Sequence, residues 1–599
     1  MKEETVLIPR DDGRWLQARL WRPEGTGRWP AIIESSPYRA GDLFAPLVEG
    51  QIGWFAEHGY VVLAIDIAGS GNSPGLLHDE YEPQEIDDLV AAIDWASRQD
   101  WCDGGVGLCG FSWAAFAALR AAEKKPPALK AMVLGGVSED GWQTDIHYMN
   151  GAPYVAQVDW AGVMLMLNAL PPDPAQFRGD WRAEWHSRLR NDKPWLLHWL
   201  TNPERNTYWL AKAAPLESAV PLLLYAGLAD KYAASVLRIA QGWRGPVRTI
   251  LGPWEHSPPD IAGRGPRIGM RQEALRWWDA YLKGGVPPDG PPVAIWIGAP
   301  DEEGGMTNGE WRALRSVIET APLSHHLTWR FQDTMPPTLA PDLYEDAPAP
   351  FDYDRFRGRG GFGIESRYAN TVDFAGAPKL KLRLGGPMPG QHVTARLLDI
   401  GDKAVRIVTA GARVNGTEVD IDLPPVGWRL AKGHTLALTL EAQAWPTFWN
   451  PPTHAALEVS SVELGMPLLS AGAEPLSFEP PLPRRDTGTE ALKWLTPEPF
   501  APSDDPMTRD TTSAAHHLTA TGADYHIASR FEVAPDGDRA AKSYRVAFER
   551  PGWHIRIETR LEVSSTPEAF DMRWHIEARD GDTVVHRADE SATIPRTSI

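Results

Sequence analysis

The chain has 599 residues, too many for a single hydrophobic core, so two to four domains are expected. Its 79 acidic residues against 59 basic ones give a formal charge of −20, which argues against a nucleic-acid backbone or an anionic membrane as partner. Two cysteines, Cys102 and Cys109, exclude a disulfide framework and a cysteine-rich zinc site.

Residues 2–6 lead directly into a strand-like pattern, with no apolar core of signal-peptide length, and no apolar run reaches the eighteen residues of a membrane span. The default expectation is a cytoplasmic protein. From the N-terminus to about residue 125, strands and helices alternate. Residues 30–35 and 60–66 read as buried parallel strands. A turn-rich loop at 68–75 comes after the second strand. Ile86, Leu89, Val90 and Ile93 recur at helical spacing. Residues 106–109 form a third strand and 131–134 a fourth. This alternation implies a parallel sheet covered on both faces.

Residues 140–215 break the rhythm. Tryptophan, proline and charged residues dominate, and the Met/Leu-rich run 163–167 suits a helix. An inserted, mostly helical segment is expected. The α/β pattern returns at 220–225 and 246–251 and closes with a helix at 271–283. From about residue 316, alternating runs at 380–384, 393–397 and 435–440 predict a β-sandwich. A proline-rich stretch, 474–506, precedes a last β-rich segment. The expected parts are an α/β core in two pieces (1–138 and 217–315), a helical cap (139–216), a β-sandwich (316–470) and a β-rich C-terminal extension (471–599).

The chemistry concentrates at Gly110-Phe111-Ser112-Trp113-Ala114. An apolar strand meets Gly110, then Ser112, then a small-residue helical pattern, as in a nucleophile elbow. Ala114 stands where the G-x-S-x-G pattern has its second glycine. A serine so placed needs a base, an acid to orient the base, and donors for an oxyanion. Asp230 follows one strand through a turn, and His256 follows the next through Gly252-Pro253-Trp254-Glu255. Each alone would be read as a loop residue. Together, in the order Ser, Asp, His, they form a candidate triad. Asp66, His58 and His78 precede the serine and are out of order, and His325-His326 lacks a preceding strand. The Trp113 backbone N–H is one expected oxyanion donor. The loop after the early strand has no glycine-rich stretch, so the Tyr38 hydroxyl is the candidate for the second.

These blocks resemble the CocE/NonD hydrolases, the family of cocaine esterase, α-amino-acid ester hydrolases, glutaryl acylases and X-Pro dipeptidyl-peptidases. The carrying residues are Ser36-Pro37-Tyr38, the Asp66 to Gly75 loop, Trp101-Cys102-Asp103-Gly104 before the elbow, Gly227 to Asp230, Gly252-Pro253-Trp254-Glu255-His256, and the Arg276 to Gly284 helix. The resemblance covers about residues 1–465. It implies an α/β-hydrolase fold with a helical cap and a jelly-roll β-sandwich, a triad of Ser112, Asp230 and His256, and an oxyanion hole of Tyr38 and Trp113. Phe111, Trp142, Asp145, Trp254 and Tyr232 are drawn in as pocket residues. Ala68 replaces the usual arginine, which removes an expected internal ion pair, and Trp113 replaces a tyrosine and alters the pocket wall. Tyr232 and Ala233 stand where the ester hydrolases carry ammonium-binding carboxylates.

The expected activity is hydrolysis of small acyl esters, or amides, through an acyl-enzyme, with no metal or cofactor and a small-molecule partner. X-Pro dipeptidyl-peptidase or acylase activity is the alternative within the class. A non-catalytic binding protein is the alternative outside it. Homo-oligomerisation stays open, and residues 471–599 have no assigned role.

Overall fold

The computed structural model describes residues 1–596 except 300–305, 307, 315–319, 326–328, 332–348, 351–361, 387–389, 453–456, 470–471, 484–488, 493–506, 513–514, 519–520 and 536. The expected boundary near 316, His326 and much of the proline-rich stretch lie outside the described residues.

The centre of the molecule is a 13-stranded sheet. Its parallel middle runs, in spatial order, Val61–Asp66, Trp29–Ser36, Cys102–Phe111, Leu129–Gly135, Leu222–Gly227, Val247–Gly252 and Val293–Ala299. The antiparallel pair Lys2–Pro9 and Trp15–Arg22 covers one edge. The apolar runs are continuous because both faces are buried. Leu222 and Leu224 enter the larger core on one face, while Leu223 and Tyr225 enter a tryptophan-rich core on the other. Helices Pro83–Ser97 and Trp113–Glu123 cover the first face, and helix Met270–Tyr281 the second.

Between Leu129–Gly135 and Leu222–Gly227 the chain leaves the sheet for a helical insertion: Ala156–Asn168, Trp181–Asn191, Leu196–Thr201 and Thr207–Lys212. The Met/Leu run lies inside Ala156–Asn168, which is almost wholly buried, so it shows no polar stripe. Beyond the α/β core, two five-stranded antiparallel sheets form the β-rich middle region. This region is not separate from the core. Asn308–Leu314 and Glu474–Leu476 extend the central sheet, and Val426–Leu430 pairs with Val293–Ala299 at Gly298–Trp428. The C-terminal extension is an eight-stranded antiparallel sheet built on the long strands Ala523–Val533, Arg539–Arg550, Trp553–Ser565, Ala569–Asp580 and Thr583–Pro595.

Among the described residues no helix is long and apolar enough to cross a membrane.

Candidate active site

Strand Cys102–Phe111 ends one residue before helix Trp113–Glu123, and Ser112 makes the turn at φ 58° and ψ −125°. A non-glycine residue there stores roughly 1–3 kcal/mol of strain, which surrounding bonds must hold. The Ser112 N–H donates to the Gly135 carbonyl at 2.9 Å, and its own carbonyl accepts from Ala115 at 2.8 Å and Phe116 at 3.0 Å. Only glycine fits at 110. A Cβ there would lie 2.5 Å from the Ala114 carbonyl carbon and 2.6 Å from the Ala114 methyl. The alanine at 114 is tolerated because Gly110 leaves that space open.

Asp230 and His256 stand on two adjacent loops at the same end of the sheet. The loops are bonded to each other. Leu228 donates to the Gly252 carbonyl at 2.7 Å and Ala229 to the Trp254 carbonyl at 3.1 Å. A Cβ on Gly227 would fall 1.9 Å from the Trp254 oxygen, so that contact demands glycine. His256 Nδ1 lies 3.0 Å from Asp230 Oδ2, and the Asp230 side chain is fully buried. A buried carboxylate on Nδ1 fixes the proton there and leaves Nε2 as the basic nitrogen. Tyr232 donates its backbone N–H to Asp230 Oδ1 at 3.2 Å, and the rings of Phe111 and Tyr232 pack 4.6 and 5.0 Å from that of His256.

The Tyr38 phenol stands beside the Ser112 side chain. Burial, and then the charge of Glu80, push the Tyr38 phenol well above its ordinary pKa, so it stays a neutral O–H donor. Its loop is anchored from behind. Arg39, at φ 64°, pairs with Asp42 at 2.6 Å and donates to the Pro171 carbonyl at 2.7 Å. The Trp113 N–H is the first amide of its helix and has no intrahelical acceptor, so it is open to a ligand at the elbow.

Ser112, Tyr38 and His256 line one cavity of about 790 Å³. Phe111, Asp145 and Tyr232 also line it. Three tryptophan expectations are corrected. Trp254 is fully buried, donates to the Pro266 carbonyl and packs on Trp311 beneath the His256 loop. Trp142 donates to the Pro203 carbonyl, outside the cavity lining. The Trp113 indole does not wall the pocket. It points into the core, bonds Glu85 at 2.7 Å, and packs on Tyr81 and Trp195. An indole N–H needs an acceptor when buried, and each of these three has one away from the cavity. The expected loss at Ala68 is also compensated. Asp66 accepts from the Ala40 and Asn72 amides at 2.8 and 3.0 Å, and Arg188 of the insertion ties the 68–75 loop through the Gly71 and Ser73 carbonyls.

Sequence reasoning missed the Glu80–His147–Asp145 cluster. His147 Nε2 lies 3.0 Å from Glu80 Oε2, and Nδ1 lies 3.6 Å from Asp145 Oδ1. Burial would lower the His147 pKa, but the two carboxylates outweigh it and push it up to about 10. Asp145 also accepts from the Tyr232 hydroxyl at 2.9 Å, and Glu80 from the Trp160 indole. It also missed Ile527, Ser529 and Tyr544, which reach the cavity from the C-terminal sheet. Apart from Asp145, which the resemblance drew in as a pocket residue, no local motif announces these residues. Among the described residues no group of three or more metal-ligating side chains could hold a metal ion.

Two family models match in order: the X-Pro dipeptidyl-peptidase (S15 family) domain over residues 12–258 and the X-Pro dipeptidyl-peptidase C-terminal non-catalytic domain over 368–477. Cocaine esterase of Rhodococcus sp. (strain MB1 Bresler) is 27% identical over 298 residues, 43% of this chain and 49% of the esterase, so the match spans about half the length of that relative. In fold, the chain is similar to a CocE/NonD family hydrolase from Staphylococcus aureus, with a TM-score of 0.58 at 15% identity over 78% of this chain and 94% of that one. It is similarly close to an α-amino acid ester hydrolase, with a TM-score of 0.56 at 17% identity over 78% of this chain and 96% of that one. With the elbow and the paired loops in place, the chain carries an X-Pro dipeptidyl-peptidase (S15 family) domain followed by the X-Pro dipeptidyl-peptidase C-terminal domain, and its fold is that of the CocE/NonD hydrolases.

Proposed function

We propose that the chain hydrolyses carboxylic esters with an apolar acyl or alcohol part through an acyl-enzyme on Ser112. The observation that carries this reading is the strained Ser112 turn opening on the same cavity as His256, whose Nδ1 is held by the buried Asp230. His256 Nε2 takes the Ser112 proton as Oγ attacks the acyl carbonyl. The oxyanion accepts from the Trp113 N–H and the Tyr38 O–H, both fixed before substrate arrives. The protonated imidazole then gives its proton to the leaving alkoxide. Water, deprotonated by His256, attacks the acyl carbon, and collapse of that second intermediate restores Ser112.

The cavity supports esters over peptides with a free amino terminus. An ammonium group would need an uncommitted carboxylate near the serine. Four carboxylates line the cavity: Glu80 and Asp145 are engaged by His147 and by the Trp160 and Tyr232 donors, Asp260 is paired with Arg271, and burial pushes the Glu34 carboxyl up to about 7, which weakens it as an anion at neutral pH. Most other lining groups are apolar, as in Phe44, Phe55, Val163 and Met166. Comparing hydrolysis of p-nitrophenyl butyrate with that of Ala-Pro-p-nitroanilide tests the assignment. Faster turnover of the ester is expected. Faster turnover of the dipeptide anilide would make the chain a dipeptidyl-peptidase.

A further inference from the structure

The family domains end at residue 477, yet the C-terminal sheet beyond them supplies part of the cavity wall. Strand Ala523–Val533 brings Ile527 and Ser529 to it, and strand Arg539–Arg550 brings Tyr544. Ile527 and Ser529 are two residues apart and share one face of their strand. Ser529 lies directly across from Tyr544 in the antiparallel register, and their hydroxyls are hydrogen-bonded. His516 of strand Ala515–Leu518 also lines the cavity and Lys542 Nζ donates to Ser529 Oγ at 3.3 Å, so the wall sets the Ile527 side chain and the Tyr544 ring among polar groups.

The same face of Arg539–Arg550 is fastened to the hydrolase through Lys542, Phe548 and Arg550, all an even number of residues apart. Lys542 pairs with Asp159 of the insertion helix at 2.8 Å, and both side chains are buried. A Cβ on Gly162 of that helix would lie 2.5 Å from Lys542 Cγ, so the strand crosses the helix at a glycine. Phe548 lies under the Arg39 guanidinium at 5.7 Å, behind the Tyr38 loop. Arg550 pairs with Asp173 at 2.5 Å. Period-two contacts of this kind fix the register, because a one-residue slip would turn every one of these side chains away.

We propose that the C-terminal sheet is the substrate-selecting wall of the active site: Ile527, Tyr544 and Ser529 favour esters with an extended apolar acyl group over acetyl esters. The inference rests on the ester-hydrolase reading of Ser112. A cavity of about 790 Å³ is far larger than an acetyl group needs, and volumes of roughly 300–1,000 Å³ enclose ligands of drug size. Its apolar lining rewards added methylenes.

The test uses the full chain with p-nitrophenyl acetate, octanoate and dodecanoate. Wild-type protein should favour octanoate over acetate in kcat/KM. Ile527→Trp fills the wall and should lower the octanoate-to-acetate ratio by about tenfold or more, mainly through KM. Tyr544→Ala opens it and should move the preference toward dodecanoate. Arg573→Ala, on an exposed position of the same sheet, should keep the wild-type ratio. Thermal melts confirm that each variant is folded, and Ser529→Ala is the conservative substitute should Ile527→Trp fail to fold. Ratios unchanged in Tyr544→Ala and in a folded Ile527→Trp or Ser529→Ala would overturn the proposal. Fluorophosphonate labelling of Ser112 in the same samples separates the two readings. Labelled protein with unchanged ratios refutes the wall alone. Wild-type protein that neither labels nor cleaves any ester refutes the hydrolase reading and this inference with it.

Discussion

At the scale of single residues, the site separates groups that do chemistry from groups that hold them. Tyr38→Phe keeps the ring packed on Phe44 and Trp160 but removes the hydroxyl proposed as the second oxyanion donor. It should lower kcat by about 10²–10³ with a much smaller change in KM, read from steady-state kinetics. His147 belongs to the second kind. Its pKa is raised from 6.5 to about 10 by Glu80 and Asp145, against the effect of burial. A raised basic group contributes stability that is complete below its unfolded pKa and is lost as pH rises through the folded value. Stability from this cluster should therefore fall between pH 6.5 and about 10, and His147→Gln should flatten that part of a Tm-against-pH profile. An unchanged slope would show that His147 is not held in its charged form. The tryptophans show the limit of reading residues singly. Trp113, Trp142 and Trp254 sit in or beside motifs of the site, yet each indole faces away from the cavity. Nothing in a residue's type or neighbours says which way a large ring turns.

At the scale of elements, much was legible because strand–turn–helix units are local. The strand before Ser112, the helix after it and the order of the Asp230 and His256 loops all come from patterns within about ten residues. The two glycines at 110 and 227 are explained only by contacts. Gly110 meets Ala114 one turn on, while Gly227 meets Trp254 on the neighbouring loop. Ala114→Gly should leave kcat near that of the parent and cost about 0.5–1 kcal/mol of helix stability. Gly110→Ala drives a methyl into Ala114 and should displace Ser112, with a large loss of kcat. If both variants behaved alike, the close approach at the elbow would not be what positions the serine. The Glu80–His147–Asp145 cluster was not legible. Its members come from the loop ahead of helix Pro83–Ser97 and from the entry to the insertion, and no spacing links them.

At the scale of the whole molecule, the C-terminal sheet is joined to the insertion and to the Tyr38 loop rather than tethered beside them. Its place at the cavity could not be read from the sequence, because the contacts cross hundreds of residues and depend on strand register. Breaking a buried pair leaves an uncompensated charge and typically costs about 3–5 kcal/mol. Lys542→Met removes the buried ammonium 2.8 Å from Asp159 of the insertion helix and leaves Arg509 at 3.7 Å. The variant should unfold at lower temperature and expose the C-terminal strands to limited proteolysis before the hydrolase core. A wild-type cleavage pattern would show that the pair does not fasten the sheet.

Everything in the mechanism depends on Ser112 being the nucleophile of the site built by Asp230, His256, Tyr38 and the Trp113 amide. Treating the folded protein with a fluorophosphonate and mapping the adduct by peptide mass spectrometry tests this in one step. Stoichiometric modification of Ser112 is predicted, abolished in Ser112→Ala and strongly slowed in His256→Ala. No adduct, or an adduct on another residue with Ser112 untouched, would contradict it.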